Sequence, residues 1–246
     1  MNAPITDTVT TVAFSFNGKQ ITAFEGETIL QAAKRNGYEI PHLCYSDNLR
    51  ADGNCRACMV EIDGERVLAP SCCRQPNNDM TVRGDSGRAR KAQSLVLELL
   101  RGEVGNSHFS NRSELDYWCD QLEITESRFG SRQQPVGDAS HPAISVNLSA
   151  CIQCTRCVRA CREEQANDVI GFAHRGIHSE IVFDLGDSMG ESSCVGCGEC
   201  VQACPTGALM PAGGVGLEAM DRTVDSVCPY CGVGCLLTYH VQDNRI

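Results

Sequence analysis

Between residues 151 and 204 the chain twice sets four cysteines at the spacing C-x2-C-x2-C-x3-C, as "CIQCTRCVRAC" (151–161) and "CVGCGECVQAC" (194–204). In both runs valine follows the third cysteine and alanine precedes the fourth. Three cysteines at three-residue steps offer three thiolates to three corners of an iron–sulfide cubane, while the fourth is carried along the following helix and points elsewhere. Where two such runs share a domain, that fourth cysteine ligates the other cluster. By this rule Cys151, Cys154, Cys157 and Cys204 hold one [4Fe-4S] cluster, and Cys194, Cys197, Cys200 and Cys161 hold a second. Pro205 ends the second run in the bacterial manner, whereas Arg162 stands at that place in the first. Zinc also takes four thiolates, but usually from paired C-x2-C knuckles separated by a loop, so these runs would crowd one ion with near neighbours. A zinc-stabilised interaction module is the alternative from another class.

The remaining cysteines extend the pattern. The chain has 17 cysteines in 246 residues, too long a sequence for a small disulfide scaffold. The opening "MNAPITDTVTTVAF" has neither the positive charge nor the apolar core of a secretory signal, and no apolar run is long enough for a membrane span. Cytoplasm is therefore the expected location, where clustered thiols read as metal ligands. A formal charge of -10 argues against a nucleic-acid surface and reads as solubility. Cys44, Cys55, Cys58 and Cys72 give C-x10-C-x2-C-x13-C, one tight pair and two thiolates from separate loops, which suits a planar [2Fe-2S] cluster. Cys73 competes with Cys72 for the fourth place. Gly53 and Gly64 fit tight loops that bring backbone amides near sulfur. His42, close to Cys44, reads as a loop or packing residue.

Around these runs the sequence is a series of short elements. "TVAFSFNGKQITAF" (11–24) alternates apolar and polar residues about Asn17-Gly18, the signature of a two-residue hairpin turn. "EGETILQAAKRNG" predicts a helix closed by Gly37. "CMVEIDGERVLAP" (58–70) predicts a second hairpin turning at Asp63-Gly64, so a small mixed sheet should pack on one helix. Residues 87–103 carry Ala89, Ala92, Val96, Leu99 and Leu100 at helical intervals. From 104 to 142 the composition turns polar, with "GSRQQPVGDASHP" as its clearest linker segment. "GGVGLE" (213–218) reads as a flexible linker. Neither a G-x-G-x-x-G string nor a P-loop appears, and no nucleophile is set beside a base, so chemistry rests with the metal groups.

With "IPHLCY", "GNCRACMVEIDG" and "PSCC", the first part resembles the plant-type ferredoxin domain of the large complex I subunit, of NAD-linked hydrogenase subunits and of NAD-dependent formate dehydrogenase alpha subunits. The resemblance favours Cys72, which follows "PS". In that family a further [4Fe-4S] cluster follows, bound by H-x3-C-x2-C-x5-C. Counted from His108, the cysteine positions are taken by Arg112, Leu115 and Gln121, and Cys119 comes two residues early. No cluster is expected there, and Cys119 reads as a buried thiol.

The ending "CPYCGVGC" resembles the opening of the iron–sulfur domain of formate dehydrogenases and related molybdenum or tungsten oxidoreductases. Cys228, Cys231 and Cys235 would then be three ligands of a third [4Fe-4S] cluster. The following residues contain no cysteine, only His240 and Asp243 as substitutes, which marks either a fragment of a longer subunit or a natural short form whose last cluster is absent or completed by a partner. The fuller strings "ACREEQANDVIGFAHRG" and "GECVQACPTGALMPA" extend the resemblance to the cytoplasmic NAD-dependent formate dehydrogenase alpha subunit.

The implied fold class is α+β. A plant-type [2Fe-2S] ferredoxin (β-grasp) domain occupies 1–103. A degenerate form of the cluster segment built on one histidine and three cysteines, with a linker, occupies 104–142. A bacterial-type two-cluster [4Fe-4S] ferredoxin domain follows at 143–222, then the start of a molybdopterin oxidoreductase domain at 223–246. The implied role is a wire from a bis-molybdopterin molybdenum or tungsten centre, present only in the full-length subunit, to a flavin/NAD-binding subunit. A small [2Fe-2S] subunit would complete the complex, without nucleic acid or membrane. The second electron-transfer reading is a diaphorase-type subunit of an NAD-linked hydrogenase.

Overall fold

The computed structural model describes residues 10–104, 113–131, 136–212, 220–229 and 232–246. The expected linker at 213–218, His108, Arg112 and Cys231 lie outside them.

The hairpin forms as its alternation requires. β1 (Thr11–Phe16) pairs antiparallel with β2 (Lys19–Phe24), and Asn17 and Gly18 take φ of 49° and 78° at the turn. Phe14, Phe16, Ile21 and Ala23 point inward together because the strand period is two. α1 (Ile29–Arg35) begins at a capping box: the Thr28 hydroxyl accepts from the Gln31 N–H while the Gln31 side chain accepts from the Thr28 N–H. It lays Ile29, Leu30, Ala32 and Ala33 on the sheet, and Lys34 and Arg35 favour its negative end.

β3 (Met59–Ile62) and β4 (Ala69–Pro70) pair as the second hairpin, but its loop spans 63–68 rather than two residues, with Gly64 in that turn and away from any sulfur. β5 (Thr81–Arg83) adds to the expected elements. It sits at the centre, parallel to β1 and antiparallel to β3, in the order β2-β1-β5-β3-β4. Three residues carry too little alternation to announce a strand, yet Val82 is fully buried between its neighbours.

α2 (Gly87–Val104) leaves this domain. Buried Gln93 ties it back by donating to the Met59 and Gly84 carbonyls. α3 (Glu114–Gln121) follows within the polar stretch expected to be a linker. The Ser113 hydroxyl caps it, and its apolar residues Leu115, Trp118 and Cys119 are buried among Leu43, Ala57, Leu97 and Ile152. Leu115, at a position where the related pattern has a cysteine, is 1% exposed.

In the second half β6 (Ile144–Val146) pairs with β9 (Leu209–Pro211), and β7 (Ile170–Ala173) with β8 (Glu180–Phe183), all antiparallel. Each cysteine run opens a short helix, α4 (Arg156–Arg159) and α5 (Glu199–Ala203). The chain ends in a hairpin of β10 (Arg222–Val227) and β11 (Leu236–Val241). Among the described residues no helix is long and apolar enough to cross a membrane.

Trp118 is 7% exposed, in contact with Tyr117 and His42 rings. Trp118→Ala should destabilise the protein by about 3–5 kcal/mol, read as a lowered denaturation midpoint, because the residue fills the space between the two halves.

Candidate functional site

The first cysteine set is gathered by backbone hydrogen bonds. The N–H groups of Ile29 and Leu30, which α1 leaves unpaired, donate to the Arg74 and Ser71 carbonyls, 2.8 and 3.0 Å away, and anchor the loop carrying Cys72. Ser71 then binds the Cys58 carbonyl through both its N–H and its hydroxyl, at 3.1 and 2.8 Å. Cys55 Sγ accepts from the Cys44 and Ala57 N–H groups at 3.4 and 3.5 Å. The result is one group of sulfurs in which Cys44 touches Cys55 and Cys72, and Cys58 touches Cys72.

Four thiols so close cannot all ionise without a cation among them. Sulfur contacts from Cys55 and Cys72 and backbone N–H groups pull Cys44 down to about 2, and contact with Cys72 lowers Cys58 to about 7. Cys55 and Cys72 are driven strongly upward as the proton-bearing partners of these contacts. A cationic iron core would hold all four as thiolates, so this donor set fits an iron–sulfur group. Cys73 stands outside it, exposed, with its sulfur 3.5 Å from that of Cys72. Gly53 lies against it: φ is +67°, and a Cβ there would come within 3.0 Å of Cys73 Sγ.

The two repeated runs fold alike. Gln153 and Thr155 in the first, and Gly196 and Gly198 in the second, are all left-handed, with φ of 57°, 63°, 67° and 81°. In each run the N–H two residues beyond the first cysteine donates to its sulfur at 3.4 Å, Gln153 to Cys151 and Gly196 to Cys194. Gln153 and Thr155 accept a backbone that glycine adopts freely, a strain of the kind found where a loop must wrap a site.

The fourth cysteine of each run lies near the first three of the other. Cys151, Cys154, Cys157 and Cys204 line one small cavity walled by Leu148, Ile181 and Leu209. Burial pushes the Cys200 thiol up to about 12, with further repulsion from Cys194, Cys197 and Cys161 around it and then from Cys204. Burial is also the largest cause of the upward displacement of Cys154 and Cys157, followed by repulsion from neighbouring sulfurs, which for Cys157 include Cys200 of the other run. These are apolar, thiol-lined spaces where ionised sulfur is unfavourable without bound cations. Among the described residues no three His, Cys, Asp or Glu side chains converge on a point suited to a single ion; in a cubane site the thiolates stand apart at separate corners.

The proline difference between the runs has a geometric effect. Pro205 restricts the residue before it, so α5 stops at Cys204 in an extended conformation, φ -72° and ψ 119°. With Arg162 at the equivalent place, the helix continues past Cys161 as a π turn over Ala160–Glu164.

The first set and the first run touch. Arg156 and Arg159 of α4, both buried, reach into the loop of Cys44: Arg156 donates to the Leu43 carbonyl, and Arg159 to those of Cys44 and Arg50. Asn54 donates to the Thr155 hydroxyl at 2.7 Å. α3 braces this junction, since Glu114 binds Arg156 through both oxygens at 2.9 and 2.8 Å and its N–H donates to the Pro205 carbonyl beside Cys204. Sequence reasoning missed both arginines, for nothing in their spacing separates a buried cation from a solvated one. His42 packs on the Tyr45 and Trp118 rings and binds the Ile40 carbonyl through Nδ1. Cys119 is 2% exposed, and burial pushes its thiol up to about 11.

At the end of the chain Cys228 and Cys235 face each other at the mouth of the terminal hairpin, the Cys228 N–H donating to the Cys235 carbonyl at 2.8 Å. His240 pairs across the strands with Thr223, whereas Val227 and Leu236 pair beside the cysteines. Four residues of strand, about 13 Å, therefore separate Leu236 from His240, and Asp243 lies farther along. Along the strand both substitute ligands suggested by the sequence are thus set apart from Cys235.

Residues 9–87 match the 2Fe-2S iron-sulfur cluster binding domain family, 150–208 the 4Fe-4S dicluster domain and 221–246 the molybdopterin oxidoreductase Fe4S4 domain. One of the NADH-quinone oxidoreductase G subunits of Rhizobium meliloti is 33% identical over 222 residues, covering 87% of this chain and 26% of its own length. The NADP-reducing hydrogenase subunit HndD of Solidesulfovibrio fructosivorans is 33% identical over 213 residues, covering 81% of this chain and 36% of its own. The chain thus spans about a quarter to a third of these curated relatives. A chain in the crystal structure of an NAD+-reducing [NiFe]-hydrogenase in the H2-reduced state superposes with a TM-score of 0.76 at 27% identity, covering 85% of this chain and 90% of that one. With a 2Fe-2S domain, a 4Fe-4S dicluster domain and a molybdopterin oxidoreductase Fe4S4 domain in that order, this chain is an iron–sulfur protein related to the G subunits of NADH-quinone oxidoreductases and to subunits of NAD(P)-linked hydrogenases.

Proposed function

We propose that this chain is the iron–sulfur electron-transfer part of a formate dehydrogenase. The carrying observation is the domain order, in which the dicluster domain is followed directly by a molybdopterin oxidoreductase Fe4S4 domain. Cys44, Cys55, Cys58 and Cys72 hold a [2Fe-2S] group, Cys151, Cys154, Cys157 and Cys204 one [4Fe-4S] group, and Cys194, Cys197, Cys200 and Cys161 another. The neighbourhoods of these sulfurs support the three sets. Cys228, Cys231 and Cys235 supply part of a further [4Fe-4S] site whose fourth ligand comes from elsewhere.

When bound, these groups supply one-electron transfer at potentials tuned by hydrogen bonds and burial. The chain's residues supply the surroundings: Ala57, Gln153 and Gly196 direct N–H groups to sulfur, and the apolar walls exclude water. Formate oxidation to carbon dioxide belongs to a molybdopterin centre carrying molybdenum or tungsten, and NAD reduction to a flavin-binding partner.

A second reading is the electron-transfer subunit of an NAD-linked hydrogenase, favoured by the likeness that covers 90% of the hydrogenase chain. Metal analysis of the native complex separates the two: copurifying molybdenum or tungsten with formate-dependent dye reduction supports the first, and nickel with hydrogen-dependent reduction overturns it. The loaded chain should carry about ten iron atoms with acid-labile sulfide; stoichiometric zinc without sulfide would refute electron transfer.

Cys204→Ser tests the exchange of fourth ligands. It should abolish or convert the group held by Cys151, Cys154 and Cys157, lowering iron by up to about four atoms, while the [2Fe-2S] signal persists. Loss confined to the group of Cys194, Cys197 and Cys200 would overturn the exchange.

A further inference from the structure

We infer that Arg159 is the counter-charge that sets the reduction potential of the [2Fe-2S] group at Cys44, an inference that rests on the ligand sets proposed above. Arg159 lies on α4 midway between Cys157 and Cys161 and is 4% exposed. Its guanidinium leaves its own domain and donates to the carbonyls of Cys44 and Arg50, both neutral acceptors. The carboxylate it faces, Asp52, keeps Oδ2 3.8 Å from Nε. That carboxylate is shared: Arg50 binds it at 3.3 Å, Asn54 at 2.7 Å and Thr155 at 3.2 Å. Its neighbour Arg156, equally buried, is instead matched by both oxygens of Glu114.

The two arginines therefore differ in kind. Among the described residues Arg156 is matched by Glu114 through both oxygens, whereas Arg159 faces only a looser ion pair at 3.8 Å with a carboxylate that Arg50 also binds. Such a charge is expensive to desolvate and persists where a net anion lies beside it. A two-iron group with four thiolates is anionic when oxidised and gains one more negative charge on reduction. A fixed cation at the Cys44 carbonyl favours the reduced form, with little screening so far from solvent. Arginine suits the place because it does not lose its proton and its planar fork reaches carbonyls from two turns of one loop.

The test is an EPR-monitored redox titration of the [2Fe-2S] signal in the cluster-loaded full chain. Arg159→Met should lower the midpoint with iron content and g-values unchanged, and Arg159→Lys should restore most of it. Asp52→Asn, at a half-buried position, should move the midpoint the other way by removing the opposing charge. An unchanged midpoint in a fully loaded Arg159→Met protein would show that Arg159 only bolts the loop in place. Should Arg159→Met fail to retain the group, Arg159→Gln, which keeps an N–H donor for the Cys44 loop without the charge, decides: a lowered midpoint supports the inference, and an unchanged or raised one overturns it. Absence of any [2Fe-2S] signal from the wild-type chain would strike the ligand assignment instead.

Discussion

Like-charged sulfur must be held together in water-poor space, and most of the architecture follows from that constraint. Thiolates repel one another and burial penalises each of them, so an apolar core by itself would drive such cysteines to stay protonated. Here backbone donors do the holding. The first N–H groups of α1 fix the Cys72 loop, Ser71 ties that loop to Cys58, and the Cys44 and Ala57 N–H groups point at Cys55 sulfur. Helix ends, whose N–H groups need partners in any case, are thereby used to position ligands.

The same economy joins the two halves. A chain with 5% aromatic residues has few large side chains to spend on an interface. Trp118 on α3 fills the gap between the halves, while Arg156 and Arg159 extend long side chains from α4 to the carbonyls of the Cys44 loop. α3 occupies the stretch where related chains carry ligands of another cluster. Leu115 and Cys119 there belong to an apolar cluster that also contains Cys44 and Cys154. Hydrophobic packing thus brings the two sulfur sets near one another where a further metal group is not expected.

Much of this was legible in advance. The N-terminal hairpin and α1 announce themselves by strict periods, a turn dipeptide and a glycine stop, because local sterics decide such features, whereas α2 forms where expected but buries Gln93, Leu97 and Arg101 and leaves Leu99 exposed. The repeated runs specify their backbone so strongly that Gln153 and Thr155 adopt the left-handed conformations that glycine takes in the second copy. Less was visible where long-range contacts decide. β5 is too short to show alternation, and α3 lies in a polar composition whose buried residues, Leu115, Trp118 and Cys119, are few. Gly64, read as a loop near sulfur, only turns the chain between β3 and β4, since sequence proximity to a cysteine does not state direction.

By itself the sequence determined the domain order and the spacing of the cysteine runs, for these depend on residue type and spacing over a few residues. Only the tertiary structure decided that Cys73 stands exposed beside Cys72, that His240 lies a strand's length from Cys235, and that Arg159 is a buried cation at the Cys44 carbonyl. Each of those outcomes depends on where a side chain meets a distant part of the chain. Burial and charge environment are set by that meeting, and no local pattern encodes it.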